Sequence, residues 1–107
     1  MILTTTENIP GKRIVRTIGL VKGNTIRARH LGRDILAGLR NVVGGEITDY
    51  TKAIAEAREQ AIDRMVESAT EQGANAIVCL RFTTSSLMQG AAEILVFGTA
   101  VVAEHEN

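Results

Sequence analysis

The least polar stretch of the chain lies close to its carboxyl end. The segment "AAEILVFGTAVVA", residues 91–103, holds one charge in thirteen residues and has apolar side chains at both odd and even positions. A strand with one solvated face alternates apolar and polar residues, so this pattern predicts a strand that is covered on both faces. The preceding segment "NAIVCLRFTTSS" predicts another strand, and "LMQG" predicts the connection between the two.

A long amphipathic helix is predicted in the middle of the chain. Apolar residues recur at steps of three and four from Tyr50 to Ala69, and charged residues occupy the opposite face. Asp49 is the predicted N-cap, and Gly73 is the predicted C-terminal stop. A second, shorter helix is predicted in "GRDILAGLRNVVGG", with Gly44-Gly45 as its end.

Strands are also predicted before the helices. Residues 2–6 form a short β-branched run, which Pro10-Gly11 ends with a turn. The segments "RIVRTIGLV" and "TIRAR" follow, separated by "KGN", which predicts a turn or a bulge; a hairpin and one long kinked strand both fit. This order predicts a single α+β domain over residues 1–107, with a mainly antiparallel sheet, helices on one face and a frayed tail at residues 104–107.

The small size of the chain makes its apolar last strand difficult to bury within one subunit. A chain of 107 residues with only three aromatic residues is expected to form one domain with an aliphatic core. A helix layer covers one face of a sheet, and leaving on the order of hundreds of Å² exposed on the other costs several kcal/mol at about 25 cal/mol per Å². The pattern therefore predicts a homo-oligomer in which a second subunit covers that face.

The net charge of zero conceals an uneven distribution. Residues 1–40 carry eight basic and two acidic side chains, and residues 41–107 carry four basic and ten acidic ones. A nucleic-acid surface on the first half is disfavoured, because none of the first 49 residues is an aromatic that could stack on a base. Contact between the two halves, within or between subunits, is the favoured interpretation.

Cysteine content and segment lengths bear on location. The single cysteine excludes an internal disulfide, and the chain has neither a signal-peptide pattern nor an apolar run of membrane-spanning length. We therefore expect a cytoplasmic protein.

Several blocks of the sequence resemble one known family. "GLVKGNTIRARHLGRDILAGLRNVVGGEITDYT", "AREQAIDRM", "GANAIV", "RFTTSS" and "GAAEILVFGTAVV" are similar to the YbjQ-like family of small bacterial proteins, which carries the label "putative heavy-metal-binding" and has no established biochemical function. The resemblance covers residues 1–104. It implies a dodecin-subunit-like α+β fold and a ring-shaped homo-oligomer, a pentamer. It also implies acidic residues where this chain has Thr83 and Ser86, and a small residue such as Gly where it has Cys79.

Candidate ligand-binding residues lie where a predicted strand gives way to the short helix. Guanidinium groups and the free N–H groups of a helix N-terminus suit an anion such as a phosphate or a carboxylate. Ion pairs with acidic residues of the same or a neighbouring subunit are the more ordinary interpretation of these arginines. The candidates are Arg27, Arg29, His30, Arg33 and Glu46.

A metal site is the other candidate, with His30 and Cys79 as its ligands. No CxxC, HxxxH or HExxH spacing occurs, so a hydrogen-bonded histidine and a buried structural thiol are the ordinary alternatives. In a ring, however, one residue near the axis is repeated in every subunit, and this keeps a site for a divalent transition metal open. His105, in the polar tail, is expected to be solvated.

Catalysis is not expected. The hydroxyls of residues 83–86 suit a strand end that enters a turn, and the paired carboxylates of the long helix lie on its solvated face. Three hypotheses follow: a metal- or small-ligand-binding oligomer with its site between subunits, an oligomeric scaffold for a protein partner, and a weak nucleic-acid binder.

Overall fold

The computed structural model describes residues 1–27, 45–88 and 91–106. These ranges form, in chain order, β1 (Ile2–Leu3), β2 (Lys12–Arg27), α1 (Gly45–Glu71), β3 (Ala76–Met88) and β4 (Ala91–His105). The strands make one four-stranded sheet in the order β1-β3-β4-β2. The class is α+β, as predicted, but the sheet is mixed, because β1 pairs parallel to β3 whereas the other two pairings are antiparallel. The predicted short helix lies outside the described residues, except for Gly45, which begins α1.

β2 is one continuous strand, which decides between the two alternatives for this part of the chain. It pairs with β4 along its whole length, and its register shifts lie between Ile14 and Arg16 and between Thr17 and Gly19. Gly23 pairs regularly with Val96. The interpretation of "KGN" as a turn or bulge is therefore wrong, because the irregular positions lie closer to the start of the strand.

α1 begins before the predicted cap. Its first residue is Gly45, so Asp49 lies inside the helix and the prediction of Asp49 as the N-cap is wrong. Glu46 is in the first turn of this helix. The helix therefore begins four residues before the predicted cap.

α1 ends where the glycine signal predicted. Gly73 has φ +90°, a left-handed conformation that glycine adopts without steric cost. Its N–H donates to Thr70 O at 3.0 Å, and the N–H of Ala74 donates to Ala69 O at 3.0 Å. This is the hydrogen-bond pair of a Schellman motif, which satisfies two of the last helical carbonyls.

The helix packs closely on β2 and β4. The predicted apolar stripe is confirmed at its centre, since Ala57, Ala61 and Met65 are fully buried. The sheet approaches this stripe through Gly23, where an added Cβ would lie 2.1 Å from Ala61 O. Beside it, the buried Thr25 hydroxyl donates to Ala57 O at 3.1 Å. Small residues on both partners therefore set the distance between helix and sheet.

The sheet face turned away from the helix is covered at one end by the chain itself. There a second small core forms, separate from the one beneath α1. The prediction that another subunit covers all of this face of β4 is therefore wrong at this end, because residues before and at the start of β2 supply the cover. This core contains Ala76, Val78 and Val101, with Ile9 and Ile14 packed against it.

The other end of the same face keeps apolar side chains at the surface. Leu20 is 70% exposed and Ile26 is 54% exposed. Leu95 and Phe97 are half-buried. The β2–β4 register places all four on the face away from α1, because residues of one parity share a face of a strand. We call Leu20, Ile26, Leu95 and Phe97 the apolar patch.

The polar end of the chain is part of the sheet. Glu104 pairs with Arg13 and His105 with Lys12, and the N–H of Glu106 donates to Gly11 O at 3.0 Å. The prediction of a frayed tail is therefore wrong for residues 104–106, because the first residues of β2 supply backbone partners. Asn107 lies outside the described residues.

Candidate functional site

The structure describes two of the five candidate ligand-binding residues, and only through their backbone. Arg27 is the last residue of β2, opposite Ala92 of β4, and Glu46 is the second residue of α1. The other three candidates lie outside the described residues. The cluster at this end of β2 therefore stays a prediction. Those three candidates are Arg29, His30 and Arg33.

Cys79, the candidate metal ligand in β3, lies at an irregularity of the strand. The pairing of β3 with β4 shifts register between Val78 and Arg81, and Cys79 has φ +57°. Its N–H donates to Thr6 O at 3.0 Å, and its half-buried side chain packs against the second core. The residue thus joins β3 to the segment that follows β1.

The backbone at Cys79 accounts for the small residue that the family resemblance implies at this position. A φ near +57° belongs to the left-handed region, where a Cβ meets the following carbonyl and glycine is favoured. The sequence alone indicated a regular mid-strand thiol. The combination of His30 with Cys79 at one metal stays a prediction, because His30 lies outside the described residues.

Thr83 and Ser86 occupy the two positions where the resemblance implies acidic residues. Thr83 pairs with Leu95, on the face of the apolar patch, whereas Ser86 pairs with Ala92, on the face that carries α1. Carboxylates at these positions would therefore point to opposite faces of one subunit. Within a subunit they could not bind the same ion.

A polar contact beside the apolar patch was missed from the sequence. The Asn24 amide donates to Glu93 Oε2 at 3.0 Å, and Arg64 Nη1 donates to the backbone O of Asn24. Glu93 is half-buried and is the one charge in residues 91–103. A lone carboxylate in an otherwise apolar strand was the signal that could have identified it. This contact joins β4, β2 and α1 at the end of the sheet that carries the patch.

Neither set of candidate catalytic groups is enclosed. The hydroxyl-bearing residues 83–86 are exposed on β3, and Glu56, Glu59 and Asp63 are exposed on α1. Within residues 1–27, 45–88 and 91–106, no three His, Cys, Asp or Glu side chains converge as a metal-binding group. The same ranges contain no helix that is both long enough and apolar enough to cross a membrane.

Comparison with known proteins identifies the family. The model of a family described as "Putative heavy-metal-binding" matches residues 1–104. A UPF0145 protein of Dehalococcoides mccartyi is 60% identical over 104 residues, which cover 97% of this chain and 100% of that protein. A UPF0145 protein of Methanosarcina acetivorans is 59% identical over 101 residues, covering 94% of this chain and 95% of the relative. The chain belongs to the YbjQ-like (UPF0145) family, and the resemblance seen in its sequence is confirmed.

A solved structure supports the fold. A DUF74-family protein of unknown function from Pediococcus pentosaceus matches this chain with a TM-score of 0.63. The match covers 97% of this chain and 98% of that one, at 15% sequence identity. At this identity the likeness concerns the arrangement of the strands and helix alone.

Proposed function

We propose that this protein is a cytoplasmic, non-catalytic homo-oligomer that binds a divalent transition metal or a small anionic ligand between its subunits. The observation that carries the proposal is the apolar patch, which lies on the sheet face opposite α1. The ring arrangement and the number of five subunits are what the resemblance to YbjQ-like proteins implies.

The patch has the composition of a subunit contact. Burying an exposed Leu or Phe side chain contributes about 1.5–3 kcal/mol, and Leu20 has most of its surface still to bury. Polar side chains share the same face: Lys22 opposite Phe97, and Asn24 with its partner Glu93. Because Lys22 and Asn24 lie between Leu20 and Ile26 along β2, apolar and polar side chains are interleaved on this face, and many protein–protein interfaces are mixed in this way.

Some of the candidate ligands follow the apolar patch directly along the chain. Arg27 follows Ile26 directly, and β2 leads into the segment with His30. In a symmetric assembly one histidine or one carboxylate near the axis recurs in every subunit and can complete a ligand shell. The family description "Putative heavy-metal-binding" favours a metal over other small ligands.

Equilibrium dialysis against Zn²⁺, Cu²⁺ and Ni²⁺ tests the metal hypothesis. We expect the wild-type protein to retain at least one ion per assembly and His30→Ala to retain none. His105→Ala is the matched control, because His105 is an exposed residue at the end of β4. Retention that is the same in the wild type and in His30→Ala would refute a site built on His30.

An oligomeric scaffold that binds a protein partner is the second candidate function. The apolar patch supports it as well, because apolar side chains on a rigid sheet suit a protein surface as readily as a second subunit. Native mass spectrometry of protein isolated from cells separates the two candidates. A stoichiometric adduct of small mass is expected for the first, and an adduct of protein mass for the second.

A further inference from the structure

One edge of the sheet has no partner strand along much of its length within the part of the chain that the structure describes. β1 pairs with β3 only at Ala76 and Ile77, and the contact continues by hydrogen bonds from Cys79 and Leu80. Arg81 adds a side-chain hydrogen bond to this contact, because its Nη1 donates to Thr5 O at 2.9 Å. Beyond Arg81, residues 82–86 are all exposed.

The backbone of this edge is oriented for pairing. The N–H of Leu80 donates outward to Thr4 O at 3.0 Å. Because successive peptide groups of a strand point to opposite sides, the N–H groups of Phe82, Thr84 and Ser86 are directed to the same outer edge. They form a row of donors, with carbonyls between them, that an additional strand could satisfy.

The opposite edge of the sheet carries the features that proteins use to prevent such pairing. β2 has two register shifts, and its exposed cations include Arg13, Arg16 and Lys22. Arg64 Nη1 donates a hydrogen bond to the backbone O of Asn24, so this carbonyl already has a partner. Residues 82–86, "FTTSS", contain no charge and no proline. An uncharged exposed edge is a template for association, whereas charge and bulges protect an edge.

We propose that residues 82–86 of β3 form an edge-to-edge contact with a strand of a second copy of this chain. This inference rests on the proposed homo-oligomer and specifies where its subunits meet. A second copy fits because the segment carries no charge that could repel a charged strand of the neighbouring subunit. Thr83 pairs with Leu95 of the apolar patch, so a subunit joined at this edge also lies beside the patch.

Light scattering after gel filtration of the full chain with substitutions at Thr84 tests this contact. Thr84→Pro removes one outward N–H, and Thr84→Lys adds a charge to the edge without changing the backbone donors. We expect both variants to have an assembly mass at least two-fold lower than the wild type. Thr84→Val, which keeps the N–H and the β-branched shape, is expected to keep the wild-type mass.

The outcomes separate this contact from the homo-oligomer itself. An oligomeric wild type with Thr84→Pro and Thr84→Lys at the same mass overturns the edge contact and leaves the oligomer standing. A monomeric wild type overturns both. A lower melting temperature in both variants with unchanged mass means that the same chain covers the edge, which also overturns the contact. Circular dichroism confirms that each variant is folded.

Discussion

Cys79 illustrates how a backbone conformation limits the chemistry that a residue can be assigned. Its φ of +57° is costly for any residue with a Cβ, by about 1–2 kcal/mol, and the surrounding contacts maintain it. Those contacts are the hydrogen bond to Thr6 and the packing against the second core. They explain the position of the thiol without a metal, and they connect the N-terminal segment to the sheet.

Substitutions of Cys79 test this structural role. Cys79→Gly relieves the left-handed strain but loses the packing of a half-buried side chain, so we expect the free energy of unfolding to stay within about 1 kcal/mol of wild type. Cys79→Val places a β-branched residue in the same conformation and is expected to cost about 2–3 kcal/mol. Urea unfolding measures both. Equal stability of the two variants would contradict a left-handed backbone at this position.

At the level of single residues, the sequence identified candidate groups by type and spacing but not the contacts between distant segments. Asn24 and Glu93, which hydrogen-bond across two strands, are 69 residues apart. Their contact depends on the β2–β4 register, and the one-residue shifts near the start of β2 are not visible in the apolar pattern. Spacing within a segment therefore could not identify Glu93 as a residue beside the patch.

At the level of elements, periodicity predicted the interior of the helix well and its start poorly. Ala57, Ala61, Met65 and Ala69 are fully buried, because burial of one helix face imposes the repeat of three and four. The start of a helix depends on local capping, which the repeat of apolar residues does not reveal, and α1 begins at Gly45 rather than after Asp49. Gly23 was wrongly interpreted as part of a turn or bulge. In a sequence, a glycine that lets a helix lie close to a strand cannot be told from a glycine that makes a turn.

Gly23→Ala tests the close contact between α1 and β2. The added Cβ would lie 2.1 Å from Ala61 O and 2.6 Å from Met65 N, both backbone atoms, so the helix must move away from the sheet. We expect a loss of about 3 kcal/mol in the free energy of unfolding, at the upper end of the cost of overpacking.

Lys22→Ala is the matched control, because Lys22 is the exposed neighbour whose side chain lies on the other face of β2. It is expected to change the free energy of unfolding by less than about 0.5 kcal/mol. Urea denaturation with a common slope gives both values. A Gly23→Ala variant as stable as Lys22→Ala would show that the helix does not approach β2 at Gly23.

At the level of the whole molecule, the apolar character of β4 predicted two covered faces, but the prediction that a second subunit covers all of one face was wrong near Val101. Near Val101 the cover comes from Ile9 and Ile14, which are far from β4 in sequence. Near Leu95 and Phe97, the same face carries the exposed Leu20 and Ile26 together with the polar Lys22 and Asn24. Composition indicates how much surface must be buried, whereas only the path of the chain between β1 and β2 indicates how much of it one subunit buries.

Leu20→Glu tests whether the apolar patch joins subunits. Leu20 is 70% exposed in the subunit, so a carboxylate there leaves the subunit core intact, but it would be desolvated in an assembly that buries the patch. We therefore expect the melting temperature of the isolated subunit to change little and the assembly mass from light scattering to fall.

Lys52→Glu, on the exposed face of α1, introduces the same side chain away from the patch and is expected to keep the wild-type mass. Both variants introduce a carboxylate at the surface of the subunit. A loss of assembly mass in Leu20→Glu but not in Lys52→Glu therefore locates the subunit contact at the patch. An unchanged assembly mass in Leu20→Glu excludes a contact there.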